Sequence, residues 1–313
     1  MEARNQPLVF FAAILIGLAS SNIEAVGNIS ILIIPSLIVM LYFVFVDVKV
    51  ADVSKAARNR PLISASLGLN FIFTPVLAYV IGWIFLSDIP DLWIGLIMLL
   101  VTPCTDWYLT YTKIARGDVP ACLTLLPWNL ILQLALLPIY LKIFVGELIN
   151  IELKMIIDAM GLVLTVPILG AAFSRWALPE DLKEKLISKS SSMQMWALAF
   201  AIFSMFASQG SILLKTPSLF IKFLLPLFLF YLIIFTLGLI IGKILSFEFR
   251  RIVCLVMTTT AKNSPLSLAI AVAAFPDRPL IALALVLAPL IEIPVLLLLS
   301  KVLPLWEKYG YAN

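Results

Sequence analysis

Long apolar runs recur along this chain, each closed by a short polar or charged stretch. Runs long enough to cross a bilayer fall at roughly 8–23, 28–48, 61–86, 92–114, 119–144, 154–175, 192–212, 218–245, 251–275 and 279–303. They are continuous, whereas membrane β-strands read as alternations of about ten residues. The pattern predicts an all-α polytopic membrane protein with ten transmembrane helices.

The polar stretches orient those helices. With the N-terminus inside, one side holds Arg4, then Lys49, Lys55, Arg58 and Arg60, then Lys113 and Arg116. Arg175, Lys183, Lys185, Lys189, Lys243, Arg250, Arg251, Lys301 and Lys308 complete it, 16 cations in all. The other side holds Lys142, Lys154, Lys215, Lys222 and Arg278, which is 5, and Lys262 is left within a span. Basic loops stay cytoplasmic, so both termini are predicted inside, at the plasma membrane. Ten spans divide into five plus five, about 1–150 and 151–313, within a single transporter domain. An odd number per half makes the halves antiparallel, as in inverted-repeat transporters. A shift of 162 residues places Pro103 on Pro265 and Pro127 on Pro289.

Composition narrows the function classes. Of 313 residues, 62% are hydrophobic and 13% charged, with mean hydropathy +1.09, which excludes a soluble or disordered chain. The absence of histidine removes imidazole proton relays and histidine metal sites. Cys104, Cys122 and Cys254 lie in apolar runs, so no disulfide framework is expected. The net charge of +4 is explained by topology and implies no nucleic-acid partner. The N-terminal run closes on no small-residue cleavage site, so it is expected to remain as the first span. No phosphate loop, dinucleotide turn, metal spacing or nucleophile–base set occurs, so an enzyme is not expected and no cofactor is implied. Transport would then be secondary or passive.

Segments four and nine depart from the apolar pattern. The first, LIMLLVTPCTDWYLTYTKIARGD, carries Pro103, Cys104 and Asp106 among threonines; the second, IVCLVMTTTAKNSPLSLAIAVAAF, carries Lys262, Asn263, Ser264 and Pro265 at mid-span. Proline removes a backbone donor, and in lipid the freed carbonyl needs another partner, which a hydroxyl can supply. Both helices are expected to unwind, and paired interrupted helices point to a transport site. Asp106 and Lys262 would each cost several kcal/mol alone in the membrane and are expected to compensate one another, either as a fixed ion pair or as a coupling pair. Glu292 in segment ten has no basic residue close in sequence and reads as a proton carrier or a protonated hydrogen-bond donor. Asn129 and Gln133 can line the same cavity, and Gln133 serves equally well as interhelical glue. Asp47, Asp118, Asp158 and Asp277 read as solvated caps near span ends. Cys104, among polar neighbours, reads as either packing or a soft ligand, while Cys122 and Cys254 read as small hydrophobes.

These residues resemble the bile acid–sodium symporter superfamily, and most closely its arsenical-resistance (arsenite permease) branch. The resemblance spans nearly the whole chain and is sharpest at TPCTDW and ARGD within 102–118, at AKNSPLSLAIAVAAF (261–275) and at APLIEIPVLLL (288–298). It implies a fold like that of sodium/proton antiporters, with a panel domain and a core domain holding crossed, discontinuous helices four and nine. It also implies efflux of arsenite, or antimonite, in exchange for a proton, with Cys104 and Glu292 matching that branch's essential Cys and Glu. Trivalent arsenic is thiophilic, and arsenite is an uncharged hydroxide at neutral pH.

The sequence departs from the sodium-coupled branch, whose Ser-Asn ligand positions fall on Tyr108 and Leu109. That branch's Glu falls on Thr258, and its Gln-Asn-Ser reads Lys262, Asn263 and Ser264. A fixed ammonium excludes a second cation, so protons are favoured over sodium. The Asp106–Lys262 pair is not typical of the arsenite branch.

The expected site therefore has Cys104, Thr102, Thr105, Asn129, Asn263 and Ser264 at the substrate. Asp106, Lys262 and Glu292 would handle protons, and Pro103 and Pro265 would sit at the helix breaks. The alternative is a proton- or sodium-coupled transporter of a small organic anion, held by Lys262 and half-helix N-termini. A third reading, a receptor on a transporter fold, lacks a soluble sensory domain. The implied partners are a metalloid or small-molecule substrate, protons and the lipid bilayer; no oligomeric state is implied.

Overall fold

The computed structural model describes residues 2–21, 24–47, 60–105, 107–146, 148–149, 153–215 and 217–310. Asp106 lies outside the described residues, as do Lys49, Lys55 and Arg58 of the charge count. The described elements are helical, with one isolated backbone bridge between Pro103 and Lys262.

The helices are α1 (Glu2–Ser20), α2 (Ile33–Asp47), α3 (Arg60–Gly68), α4 (Thr74–Leu86), α5 (Pro90–Leu100), α6 (Trp107–Ile114) and α7 (Val119–Leu123). They continue as α8 (Leu126–Tyr140), α9 (Leu153–Ala177), α10 (Glu180–Lys215), α11 (Pro217–Ile244), α12 (Phe249–Thr260), α13 (Ser264–Ala274) and α14 (Pro279–Gly310). A 3₁₀ stretch, Glu24–Leu32, leads into α2, and π turns at Leu69–Phe73 and Leu141–Val145 follow α3 and α8. Prolines open several helices, at positions where the missing N–H is needed least. Asp118 caps α7 by accepting from the Ala121 amide at 3.1 Å.

Among the described residues, seven helices are long and apolar enough to cross a membrane, from Asn28–Val46 to Pro279–Glu307. The other three expected spans fall on shorter apolar helices, Leu8–Ser20, Pro90–Leu100 and Ser264–Ala274. The last two are shortened because segments four and nine are interrupted: α5 stops at Leu100 and α6 restarts at Trp107, while α12 stops at Thr260 and α13 restarts at Ser264. The chain is a multi-pass membrane protein.

Two compact units divide it. The first comprises Met1–Val48, Ile151–Ile221 and Pro265–Val286. Within it α2 packs on α9 and α10, and α1 packs on α10. A Cβ at Gly17 would stand 2.7 Å from the Phe206 Cβ and 2.8 Å from the Phe203 carbonyl, so this approach of α1 to α10 requires glycine. Arg175 donates to the Val46 carbonyl at 2.6 Å, satisfying the C-terminal turn of α2.

The second unit comprises Lys49–Asn150, Lys222–Ser264 and Leu287–Asn313. Its centre is formed by the interrupted segments. Every residue from Leu92 to Thr105 is buried, as is every residue from Ile252 to Lys262. A helix buried on all sides must be apolar all round, which α5 is.

The helix α6 ends on a Schellman turn. The Gly117 amide donates to the Thr112 carbonyl at 2.8 Å and the Arg116 amide to the Lys113 carbonyl at 3.2 Å. Arg116, with φ of 60°, occupies the left-handed position usually given to glycine. The Asp118 amide then donates to the Arg250 carbonyl at 2.9 Å, tying this turn to the start of α12. That tie brings α7 onto α12, and Cys122 and Cys254 are disulfide-bonded there, with Cα atoms 5.6 Å apart. The expectation of no disulfide is corrected: the two cysteines are 132 residues apart, and apolar context alone carries no sign of their meeting.

Candidate functional site

The two interruptions satisfy each other's backbone. Pro103 leaves the Leu99 carbonyl without its helical amide, and the Thr102 hydroxyl is within 3.0 Å of it and of the Met98 carbonyl. The Cys104 amide donates to the Ala261 carbonyl at 3.0 Å, and the Asn263 amide to the Thr102 carbonyl at 2.7 Å. The Lys262 amide donates at 2.8 Å to Oε1 of Glu292, which enters from α14 between Pro289 and Pro294. Each of these amides would otherwise stand unpaired away from water, at a cost of several kcal/mol.

This pairing collects the expected chemistry at one buried place. Cys104 is 5% exposed, Lys262 2% and Glu292 0%. Thr102, Thr105 and Ser264 are also buried, and Asn263 is half-buried. The Lys262 ammonium lies 3.4 Å from Oδ1 of Asn70 and 5.1 Å from the centre of the Phe230 ring. Among the described residues Lys262 makes no ion pair within 4.0 Å. The expected Asp106–Lys262 pair lies outside the described residues on its acidic side. The carboxylate found at the Lys262 backbone is instead Glu292, 30 residues along the chain.

A polar wall lies behind them. Asn129 Nδ2 donates to the Thr258 hydroxyl at 3.1 Å, and Asn70 Nδ2 donates to the Thr258 carbonyl at 3.3 Å. Asn263 Nδ2 is 3.5 Å from Oε1 of Gln133, so Gln133 bridges two segments. Several buried polar atoms here have no hydrogen bond among the described residues: Asn129 Oδ1, Gln133 Nε2, Thr260 Oγ1, Tyr231 Oη and Glu292 Oε2. Buried polar groups are normally paired, so this cluster of unpaired ones holds hydrogen-bonding capacity that the described residues do not use. Sequence reasoning missed Asn70, Phe230 and Tyr231. Asn70 carried a signal, being an amide inside an apolar span and in a π turn, a distortion frequent at functional sites. Of the carboxylates expected as caps, Asp158 and Asp277 are exposed and Asp118 caps α7.

Comparison with known proteins places the chain among membrane transporters. Residues 34–216, more than half of the chain, match the Sodium Bile acid symporter family. The chain belongs to this family. It is 27% identical over 287 residues to the Arsenical-resistance protein Acr3 of Corynebacterium glutamicum, an alignment covering 87% of this chain and 77% of that protein. It is 20% identical over 303 residues to an uncharacterized transporter of Synechocystis sp., covering 89% of this chain and 79% of the relative. As a member of the sodium bile acid symporter family the chain is a membrane transport protein and not an enzyme. The family match ends at residue 216, so Lys262 and Glu292 lie beyond it.

Proposed function

We propose that the protein is a proton-coupled secondary transporter of the plasma membrane that exports arsenite, and antimonite, by alternating access. The observation that carries this reading is the junction itself: Cys104, Lys262 and Glu292 are buried together, with one glutamate oxygen holding the Lys262 amide and the other unpaired. The Cys104 sulfur attacks the arsenic of As(OH)₃, an As–S bond forms and an As–O bond breaks. The thiol proton passes to Glu292 Oε2 and then to the departing hydroxide, which leaves as water. Hydrolysis on the far side reverses the step. Thr102, Thr105, Asn129, Asn263 and Ser264 hydrogen-bond the remaining hydroxyls. On the empty return Glu292, with Asp106 and the Lys262 ammonium, carries the coupling proton; it releases that proton as arsenite enters and only then takes up the thiol proton.

Protons rather than sodium suit this site. Lys262 supplies a fixed cation, and Thr258, where the resemblance aligns a glutamate, is neutral and held between Asn70 and Asn129. In the same reading ten spans form a five-plus-five inverted repeat, with segments four and nine crossing at Pro103 and Pro265 and both termini cytoplasmic. Each compact unit draws on both halves of the chain, which supports a panel (first unit) and a core (second unit).

Proton release from the purified protein in detergent tests the proposal, with arsenite titrated in. Release in the wild type, absent in Cys104→Ser, is the expected result. Silence to arsenite with a response to citrate-like or bile-acid-like anions would instead make Lys262 the anchor of an organic-anion site.

A further inference from the structure

A second site lies away from the junction, at the ends of α6, α7, α12 and α14 that the loop charges assign to the cytoplasm. There a cavity of about 430 Å³ is lined by Lys113, Arg116 and Arg250, with Glu307 as its carboxylate and Gly117 in its wall. The volume is that of a small-molecule site. Among the described residues, none of the three cations has an ion pair or a side-chain hydrogen bond, and neither has Glu307. The acidic group nearest in sequence is already engaged: Asp118 faces Arg251 at 3.9 Å and accepts from the Ala121 amide. The cavity therefore carries a net charge of about +2, with its three cations exposed and open to an anion.

Lys113 has an ordinary explanation, since a cation in the last turn of α6 complements the helix dipole. Arg116 and Arg250 belong to the cytoplasmic charge excess, which accounts for their side of the membrane but not for their meeting at one cavity. Arg116 occupies a left-handed backbone position where glycine is cheaper, and the turn that follows it is locked onto the Arg250 carbonyl. A Cβ at Gly117 would come within 2.7 Å of Val253, so the two strands of chain are held at contact distance. Two guanidiniums presented in this way suit a phosphate, which takes bidentate hydrogen bonds from each.

The depth of the cavity narrows the source of that phosphate. Trp306 adjoins Glu307, stacks near Phe249 with ring centres 6.3 Å apart, and lies under the Lys243 ammonium at 4.7 Å. A tryptophan beneath a lysine at a span end marks the headgroup level of the bilayer. Basic pockets between helix ends at that level take lipid headgroups.

We infer that this cavity binds the phosphate of an anionic phospholipid from the cytoplasmic leaflet. The headgroup would clamp the outer ends of both interrupted segments, α6 and α12, and so hold the base of the junction. The inference rests on the loop-charge orientation and not on the substrate.

Native mass spectrometry of the full chain, titrated with phosphatidylglycerol or phosphatidylcholine, tests it. The wild type is expected to retain phosphatidylglycerol preferentially. Lys113→Gln, Arg116→Gln and Arg250→Gln combined should weaken that binding about a hundredfold, at about fivefold per charge. Glu307→Gln should tighten it about fivefold, a gain that a misfolded variant cannot mimic. Lys183→Gln, Lys185→Gln and Lys189→Gln combined, which remove as much charge elsewhere on the same side, should leave it unchanged. Equal loss in that control, or wild-type retention by the cavity variant, would overturn the inference. Displacement of the lipid by glycerol 3-phosphate at matching concentration would overturn the lipid assignment. Arsenite-driven proton release, measured on the same samples, reports the transport reading separately.

Discussion

Both compact units pair polar groups across the fold, Arg175 on Val46 in the first and Asn129 on Thr258 in the second, yet they differ in how many buried polar atoms they leave unpaired. In the first unit the hydroxyls of Ser190 and Ser208 bond back to carbonyls of their own helix, at 2.7 and 2.8 Å. In the second unit the side chains of Asn70, Asn129, Lys262 and Glu292 reach partners 30 to 192 residues away. Ten buried polar side-chain atoms lack a hydrogen bond among the described residues, and nine of them belong to the second unit; Ser204 is the exception. A helix bundle needs no such atoms for stability, and each costs about 1–3 kcal/mol when unpaired. Their concentration in one unit sets it apart from the other and is in line with the transport site proposed there.

The comparison is broken most directly at Cys104. Cys104→Ser should reduce arsenite-driven transport into everted vesicles to the level of vesicles without the protein. Cys122→Ser and Cys254→Ser should keep transport, since their sulfurs hold α7 to α12 and not a ligand. Full transport in Cys104→Ser would remove the thiol step and leave the polar wall without its proposed guest.

Glu292 separates structure from coupling. Glu292→Gln keeps an oxygen for the Lys262 amide but can neither relay the thiol proton nor carry the coupling one, so stability should persist while arsenite-driven proton release and uphill efflux are lost. Glu292→Ala also orphans that amide, and should lower stability by about 1–3 kcal/mol in addition. If both variants lose stability equally and Glu292→Gln still couples, Glu292 is a structural pin.

Asn70 acts one step further out, through Lys262 and Thr258. Asn70→Ala should slow transport about tenfold, the size expected for a group that orients a site residue. Folding yield should change little. Gly17→Ala, in the first unit, should do the reverse. Its Cβ would collide with Phe206, costing about 1–3 kcal/mol, while the affinity for arsenite in detergent stays the same. A change in affinity there would erase the division between a packing unit and a site unit.

How much of this was legible follows from the range of each signal. Spans and interruptions are local properties of hydropathy and proline, so Pro103 and Pro265 marked breaks that the structure contains within one or two residues. The pairing of Cys104 with Ala261, and of Lys262 with Glu292, is not local. Only the resemblance to a family joined Cys104 and Glu292 in advance. Asn70 was passed over because a single amide in an apolar run resembles many harmless ones until its partner, 192 residues on, is known. The Cys122–Cys254 bond was missed for the same reason. Asp106 was paired with Lys262 by symmetry of position in segments four and nine, a logic that does not reach segment ten, where the carboxylate that binds the Lys262 amide lies; Asp106 itself is outside the described residues.

The smallest expected effect lies at an exposed edge of the site unit, where Lys222 holds Asp88 at 2.5 Å. The hydrogen bond from Lys222 is the chief reason the Asp88 carboxyl is pushed below its usual 3.8. A carboxyl depressed in the folded state stabilises it above the ordinary value and ceases to do so as pH falls through the lower one. Asp88→Asn should therefore lower the melting temperature slightly at neutral pH, and the gap to wild type should close as the pH drops below 3.8. Both groups are exposed, so raising the salt concentration should close the same gap at neutral pH. A gap that survives both treatments would mean that Asp88 contributes something other than its charge, and that the polar character of this unit extends to its solvent-facing rim.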